Sequence, residues 1–248
     1  REILVHRQLK HNNIIRLLGV VSDAVHPLAV IIPFMENGHS VHYLKDNPMH
    51  LLPIIHGVAS AVSYLHGLDP PVIHGDIRGC NILVDSDGIP KLCDFGFARF
   101  LREVSRTHTH HVEGGSDRHI APELFDGVHD FRTTSQTDTY SLSMTFLELG
   151  SHSRPFQEFP HHLAAAMAAL KGKRPCRTPL LHLSPGVADG LWSLMERMWA
   201  HEPSNRPPAH VVVQDIERLQ EMAKVSGSST LRRPDVRIIT NLNYVSLC

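Results

Sequence analysis

The chain's 248 residues, 42% hydrophobic and 20% charged, are enough for a sizeable core and argue against a disordered polymer. A formal net charge of -1 removes the basis for broad attraction to nucleic acid or to a membrane surface, so neither partner is expected. No apolar run approaches the length needed to cross a bilayer. The four cysteines, Cys80, Cys93, Cys176 and Cys248, lack a paired spacing, which points to a reducing, cytoplasmic compartment.

Residues 1–10 read as the end of a helix, with Ile3, Leu4 and Leu9 near helical spacing, stopped by His11-Asn12-Asn13. Two branched apolar runs, Ile14–Val21 and Leu28–Phe34, read as strands of one small sheet, and Glu36-Asn37-Gly38 as a turn. Leu51, Ile54, Ile55, Val58, Ala59, Val62 and Leu65 then form one apolar stripe of a helix, with Pro53 in its first turn. Ile82–Val84 and Lys91–Cys93, flanking Asp85-Ser86-Asp87-Gly88, read as a hairpin. Residues 96–122 show no period and read as a long loop, of a length that is usually functional or disordered. The run Thr137–Leu149 is apolar nearly all round and predicts a buried helix. Val187–Ala200 and Val211–Met222 predict two amphipathic helices. After Lys224 the composition turns to Ser, Gly and Arg, and a disordered tail is expected. The histidine clusters (His108, His110, His111 and His161, His162) read as loop composition rather than a metal site, because no ligand spacing recurs on one helix face.

The chemistry concentrates in His74-Gly75-Asp76-Ile77-Arg78-Gly79-Cys80-Asn81, between the first long helix and the hairpin, and in Asp94-Phe95-Gly96 just after the hairpin. Phosphoryl transfer needs metal ions across the phosphates and a carboxylate near the attacking hydroxyl. Asp94 and Asn81 are candidates to hold two Mg²⁺ ions, Asp76 to orient the acceptor hydroxyl and take its proton, and Arg78 to place positive charge at the transferring group.

The order H-x-D-x-x-x-x-N, then D-F-G, then Ala121-Pro122-Glu123, resembles the signature set of eukaryotic protein kinases. The resemblance covers roughly residues 1–222. It implies an α+β, protein-kinase-like fold, with a truncated N-lobe sheet and a mainly helical C-lobe. It implies ATP and Mg²⁺ as cofactors and a protein substrate phosphorylated on Ser or Thr, or on Tyr. Glu2 resembles the helix glutamate that grips a nucleotide-binding lysine. Ile32 falls at the gatekeeper, Met35 at the hinge and Leu83 on the floor of the adenine pocket. His74, Phe95 and Gly96 take structural places in the two loops. Asp138 resembles the aspartate that holds the catalytic-loop backbone, and Arg206, in Glu202-Pro203-Ser204-Asn205-Arg206-Pro207, the arginine that pairs with Glu123. The wording around Leu9-Lys10-His11, Met35-Glu36-Asn37-Gly38 and His74–Gly79 is similar to the tyrosine-kinase-like group, in particular its basidiomycete expansion.

Residues 1–36 are expected to be a partial N-lobe, 37–222 the C-lobe and 223–248 a tail. No Gly-rich loop or nucleotide-binding lysine precedes Glu2, and there is no initiator Met, so the chain is expected to be a fragment that is inactive alone. Gly75 stands where many kinases have Arg, and His6 where the family has an apolar residue stacking toward Phe95 and His74. Two other functions compete. A pseudokinase scaffold would predict loss at Asp76, Asn81 or Asp94, and a small-molecule kinase would lack the Ala121-Pro122-Glu123 segment and its arginine partner.

Overall fold

The computed structural model describes residues 2–22, 29–96, 98–100, 118–125 and 132–229. The architecture is α+β, with three two-stranded sheets among the described residues beside a larger helical body. Helix α1 (Glu2–His6) is followed by strands β1 (Gly19–Val21) and β2 (Ala29–Ile31), antiparallel with Val20 opposite Val30. The first strand is shorter than the apolar run Ile14–Val21 predicts. Ile14 and Ile15 are buried and turned toward the hairpin instead: the Ile15 N–H donates to the Leu92 carbonyl at 2.9 Å, and the Leu92 N–H to the Asn13 carbonyl at 2.8 Å.

Helix α2 (Ser40–Asp46), unforeseen in the sequence, leads into α3 (Leu51–His66). The predicted apolar stripe of α3 is its core face: Ile54, Ile55, Val58, Ala59, Val62 and Leu65 are fully buried. Each such Ile or Leu contributes about 1.5–3 kcal/mol relative to an exposed side chain. Strand β3 (Val72–Ile73) pairs with β6 (Arg99–Phe100), and the hairpin is β4 (Ile82–Val84) with β5 (Pro90–Leu92). Asp85 builds the hairpin turn by accepting the Asp87 and Ile89 N–H groups on Oδ1, with Gly88 at φ 78° supplying the left-handed position.

Helix α4 (Ser135–Ser151) runs through the middle of the body, as its apolar sequence predicts, with Tyr140, Leu142, Met144 and Phe146 fully buried. Thr134 caps it, its hydroxyl accepting the Thr137 N–H. Helices α5 (His162–Leu170), α6 (Pro185–Met198) and α7 (Ala209–Ser229) complete the body, α7 packing along α3. Trp192 and Trp199 meet edge to face at 5.7 Å inside it. Helix α7 continues to Ser229, where Ala223 still packs on the core and the residues up to Ser229 carry no helix-breaking proline. The cluster His108, His110, His111 and residues 230–248 lie outside the described residues.

Candidate active site

The catalytic-type loop is held from below by one face of α4. Asp138, Ser141, Thr145 and Glu148 succeed one another at intervals of three and four, so they share that face. The buried Asp138 carboxylate accepts the His74 N–H (2.8 Å) and His66 Nε2 (2.9 Å) on Oδ2, and the Gly75 N–H (2.9 Å) on Oδ1. Thr145 Oγ1 donates to the Ile77 carbonyl at 3.1 Å. Glu148 accepts the Gly79 N–H at 2.9 Å. From the other side, Ser40 Oγ at the start of α2 donates to the Gly79 carbonyl at 2.9 Å. Gly79 is thus clamped between two helices. A Cβ there would stand 2.4 Å from Val41 and 2.7 Å from Glu148 Oε2, which only glycine avoids. Gly75, at φ 82°, turns the backbone immediately after the second Asp138 contact.

Within the loop, Asn81 Nδ2 donates to Asp76 Oδ2 (2.8 Å) and to the Asp76 carbonyl (2.9 Å). Arg78 Nε lies 3.4 Å from Asp76 Oδ2, buried and without the alignment of a hydrogen bond. Asp76, Arg78 and Asn81 therefore form one polar group. Asp94 follows the hairpin, exposed and in the left-handed region at φ 61°, with Oδ1 accepting the Gly96 N–H at 3.2 Å. The two loops are joined: the Cys93 N–H donates to the Asn81 carbonyl (2.9 Å), and His74 Nε2 contacts the Cys93 carbonyl at 3.1 Å. Burial, together with the negative charge of Asp94, pushes the Cys93 thiol up to about 12, so it is protonated at neutral pH.

Phe95 is fully buried between two imidazoles, with ring centroids 4.7 Å from His6 and 5.0 Å from His74. His6 fits a place that favours an apolar side chain because its ring stacks while Nε2 meets the Ile15 carbonyl at 2.6 Å. Its polar atom is satisfied without leaving the core. Leu83 lies half-buried in β4, Ile32 exposed after β2 and Met35 half-buried at the turn that follows. This turn is tied to β4, where the Val84 N–H donates to the Gly38 carbonyl at 2.8 Å and the Asn37 N–H to the Val84 carbonyl at 3.2 Å. Glu2 opens α1, and its side chain lies outside the described set.

Glu123, in the 3-10 turn Pro122–Leu124, and Arg206 form a bidentate pair at 2.6 and 2.8 Å. Upstream of that turn, His119 Nε2 stands 3.3 Å from Glu148 Oε2, and the His119 carbonyl accepts Ser141 Oγ at 2.8 Å. Glu148, Thr145, Ser141, His119 and Ser40 were not anticipated as loop supports. The available signal was the three–four spacing of polar residues on a helix that is otherwise apolar.

Burial alone would push the Glu148 carboxyl up. The His119 ring, the Gly79 N–H and the Arg78 guanidinium outweigh it and hold the group below the usual carboxylate range. A depressed folded-state value means stability that is present above the ordinary glutamate value and is lost as pH falls through the folded one. Glu148→Gln is therefore expected to cost about 1–3 kcal/mol near pH 7, with the difference from the parent closing below about pH 4. Urea melts at pH 7, 5 and 3 measure this, and a difference that does not change with pH would count against it.

The family model for "Protein tyrosine and serine/threonine kinase" matches residues 1–216, and the chain belongs to this family. Serine/threonine-protein kinase STY46 of Arabidopsis thaliana is 30% identical over 233 residues, covering 92% of this chain and 37% of that protein. Receptor-interacting serine/threonine-protein kinase 4 of Mus musculus is 28% identical over 217 residues, 83% of this chain and 26% of that protein. Serine/threonine-protein kinase CTR1 of Arabidopsis thaliana is 27% identical over 225 residues, 88% of this chain and 26% of that protein. The chain thus spans between about a quarter and two fifths of the length of these relatives. Among the described residues, no helix is long and apolar enough to cross a membrane.

Proposed function

We propose that this chain is the catalytic portion of a protein kinase that transfers the γ-phosphoryl group of ATP to a serine or threonine of a protein substrate. The observation that carries the reading is the joined pair of loops, with Asp76, Arg78 and Asn81 in mutual contact and Asp94 presented beside them. Asp76, fixed by Asn81, would orient the acceptor hydroxyl and take its proton. Arg78, a buried guanidinium nitrogen with no hydrogen-bond partner among the described residues, would face the transferring group. Asn81 spends its amide N–H on Asp76, which leaves Oδ1 as a hard oxygen ligand, and Asp94 is an exposed carboxylate. These oxygens suit Mg²⁺, which is held through one or two carboxylates together with phosphates. When bound, ATP supplies the phosphoryl group and Mg²⁺ the positive charge across its phosphates. Ile32, Met35 and Leu83 would receive the adenine.

Placement in the tyrosine-kinase-like group, and in its basidiomycete branch, rests on the phrases around Leu9-Lys10-His11, Met35–Gly38 and His74–Gly79. The serine/threonine acceptor is supported by the relatives, which are serine/threonine-protein kinases. A cytoplasmic site is supported by Cys80, Cys93 and Cys176, which are free thiols.

The test is phosphate transfer from labelled ATP to serine, threonine and tyrosine peptides, with Mg²⁺-ATP binding followed by calorimetry. It uses the 248-residue chain and the same chain extended upstream. Transfer by the extended chain, lowered about 10²–10⁴-fold by Asp76→Asn, is the expected result, together with loss of nucleotide binding in Asp94→Ala. If neither chain binds nucleotide, a scaffold that works through its partners replaces the enzyme.

A further inference from the structure

A second polar site lies outside the loops just described. The segment after α4 folds around Arg118, which is only 5% exposed. Its Nη1 donates to the carbonyls of Pro155 (3.0 Å) and Phe156 (2.5 Å), and its Nη2 to those of Phe159 (2.6 Å) and Pro160 (3.5 Å). His152 and Phe156 take left-handed φ values of 53° and 54° to bring these carbonyls round. These hydrogen bonds occupy both Nη groups but bring no opposite charge to them. Buried charges are ordinarily paired with an opposite charge. Among the described residues, neither Arg118 nor Arg154 makes an ion pair. Arg118 is held below its ordinary value by burial and by the charge of Arg154, and Glu158 offsets only part of this.

Beside Arg118 is a cavity of about 310 Å³, lined also by His152, Ser153, Arg154 and Gln157. Burial first, and then the neighbouring His182 and Lys45, hold the His152 ring below its ordinary value. The cavity thus combines a buried cation, an exposed cation that makes no ion pair among the described residues, and hydroxyl and amide groups that can donate hydrogen bonds. That is the donor set of a phosphate or carboxylate site. It is also connected to the catalytic-type loop, since His119 follows Arg118 directly and reaches Gly79 through Glu148.

We infer that this cavity binds the phosphorylated or acidic side chain of a peptide, and so selects protein substrates that already carry a negative charge. The inference rests on the protein-kinase reading for its use, though not for the binding itself. An occupant would neutralise Arg118 and brace the segment that leads to Ala121-Pro122-Glu123. Free inorganic phosphate offers the same chemistry, and the measurement separates the two sources.

The probes are peptides of mixed sequence with one fixed position as phosphoserine, glutamate or serine, and inorganic phosphate alone, titrated without ATP into the 248-residue chain. The phosphoserine set is expected to bind about tenfold or more tighter than the serine set, with glutamate between them. Affinity should fall as salt rises. Arg154→Gln, at an exposed position that leaves the fold intact by thermal melt, should remove about tenfold of the phosphoserine affinity. Equal binding of phosphoserine and serine peptides, or no effect of Arg154→Gln, overturns the inference. Inorganic phosphate binding as tightly as the phosphopeptides overturns the peptide source. Because ATP is absent, failure here with transfer activity intact rejects the pocket alone, and binding here without transfer rejects only the enzymatic reading.

Discussion

Arg206→Ala is expected to lower the stability of the chain by about 3–5 kcal/mol, the range for removing one partner of a buried ion pair. The Arg206 side chain is 0% exposed and its partner Glu123 only 11%. The guanidinium uses its planar fork on both carboxylate oxygens, then spends its remaining donors on the carbonyls of Gln136 (3.0 Å), Ala200 (2.9 Å) and His201 (3.4 Å). It also lies over the Tyr140 ring at 5.1 Å, with Arg174 over the same ring at 5.7 Å. Alanine leaves the Glu123 carboxylate buried and unpaired and frees three carbonyls. Lysine restores the charge but not the fork, so Arg206→Lys should recover only a fraction of the loss. The pair Arg177–Asp189 is a useful control, since its side chains are 61% and 69% exposed. Exposed pairs contribute about 0–1 kcal/mol, and Arg177→Ala should stay in that range. Urea unfolding gives both numbers. Equal effects at Arg206 and Arg177 would show that burial is not what makes the Glu123 pair matter. The double replacement of Glu123 and Arg206 should cost less than the sum of the single ones, because it leaves no stranded charge.

What the sequence disclosed depended on how local the signal was. The stripe of α3 and the all-round apolar run of α4 are periodic over many residues, and both helices lie where the pattern puts them. The hairpin turn was legible because Asp85 and Gly88 each have a fixed conformational task. Helix α2 is only seven residues long, too short for a period to emerge from Val41, Tyr43 and Leu44. Helix α5 is different: His162–Leu170 is rich in alanine, so its signal is intrinsic helix propensity rather than an amphipathic stripe. The end of β1 moved because Ile14 and Ile15 are claimed by the hairpin, a tertiary contact that no window around them contains.

The same distinction runs through the site. Asp76, Asn81 and Asp94 could be named because short motifs carry them. Ser40, His119 and Glu148 belong to no motif of that kind, and their contacts span 39, 29 and 69 residues of chain. The Arg118 cavity was the least legible feature. Arg118 is held at its edge by backbone carbonyls that left-handed residues bring round, and a carbonyl is the same atom at every position.

Asp138→Ala is expected to release the catalytic-type loop as well as to destabilise the body. The two carboxylate oxygens take three donors, of which the His74 and Gly75 N–H groups have no alternative partner in view. Leaving a buried donor unsatisfied costs about 1–3 kcal/mol, so two together predict a loss of roughly 2–6 kcal/mol. Asparagine is isosteric but presents one NH₂ face, which meets an N–H group or the His66 ring, so Asp138→Asn should regain less than half of the loss. Global unfolding alone cannot separate support of the loop from support of the fold. Amide hydrogen exchange at His74 and Gly75 can, because local opening is read residue by residue. Both amides should exchange faster in Asp138→Asn than the amides of Ile54 and Val58 in α3, which belong to the common core. Thr145→Val, which removes a hydroxyl shared between the Ile77 carbonyl (3.1 Å) and the Ser141 carbonyl (2.8 Å), should give the same local signature at about 1 kcal/mol. If His74 and Gly75 stay as protected as the α3 core in Asp138→Asn, the loop is held chiefly by Glu148, Ser40 and the Cys93 contacts, and α4 anchors it at its later turns rather than its first.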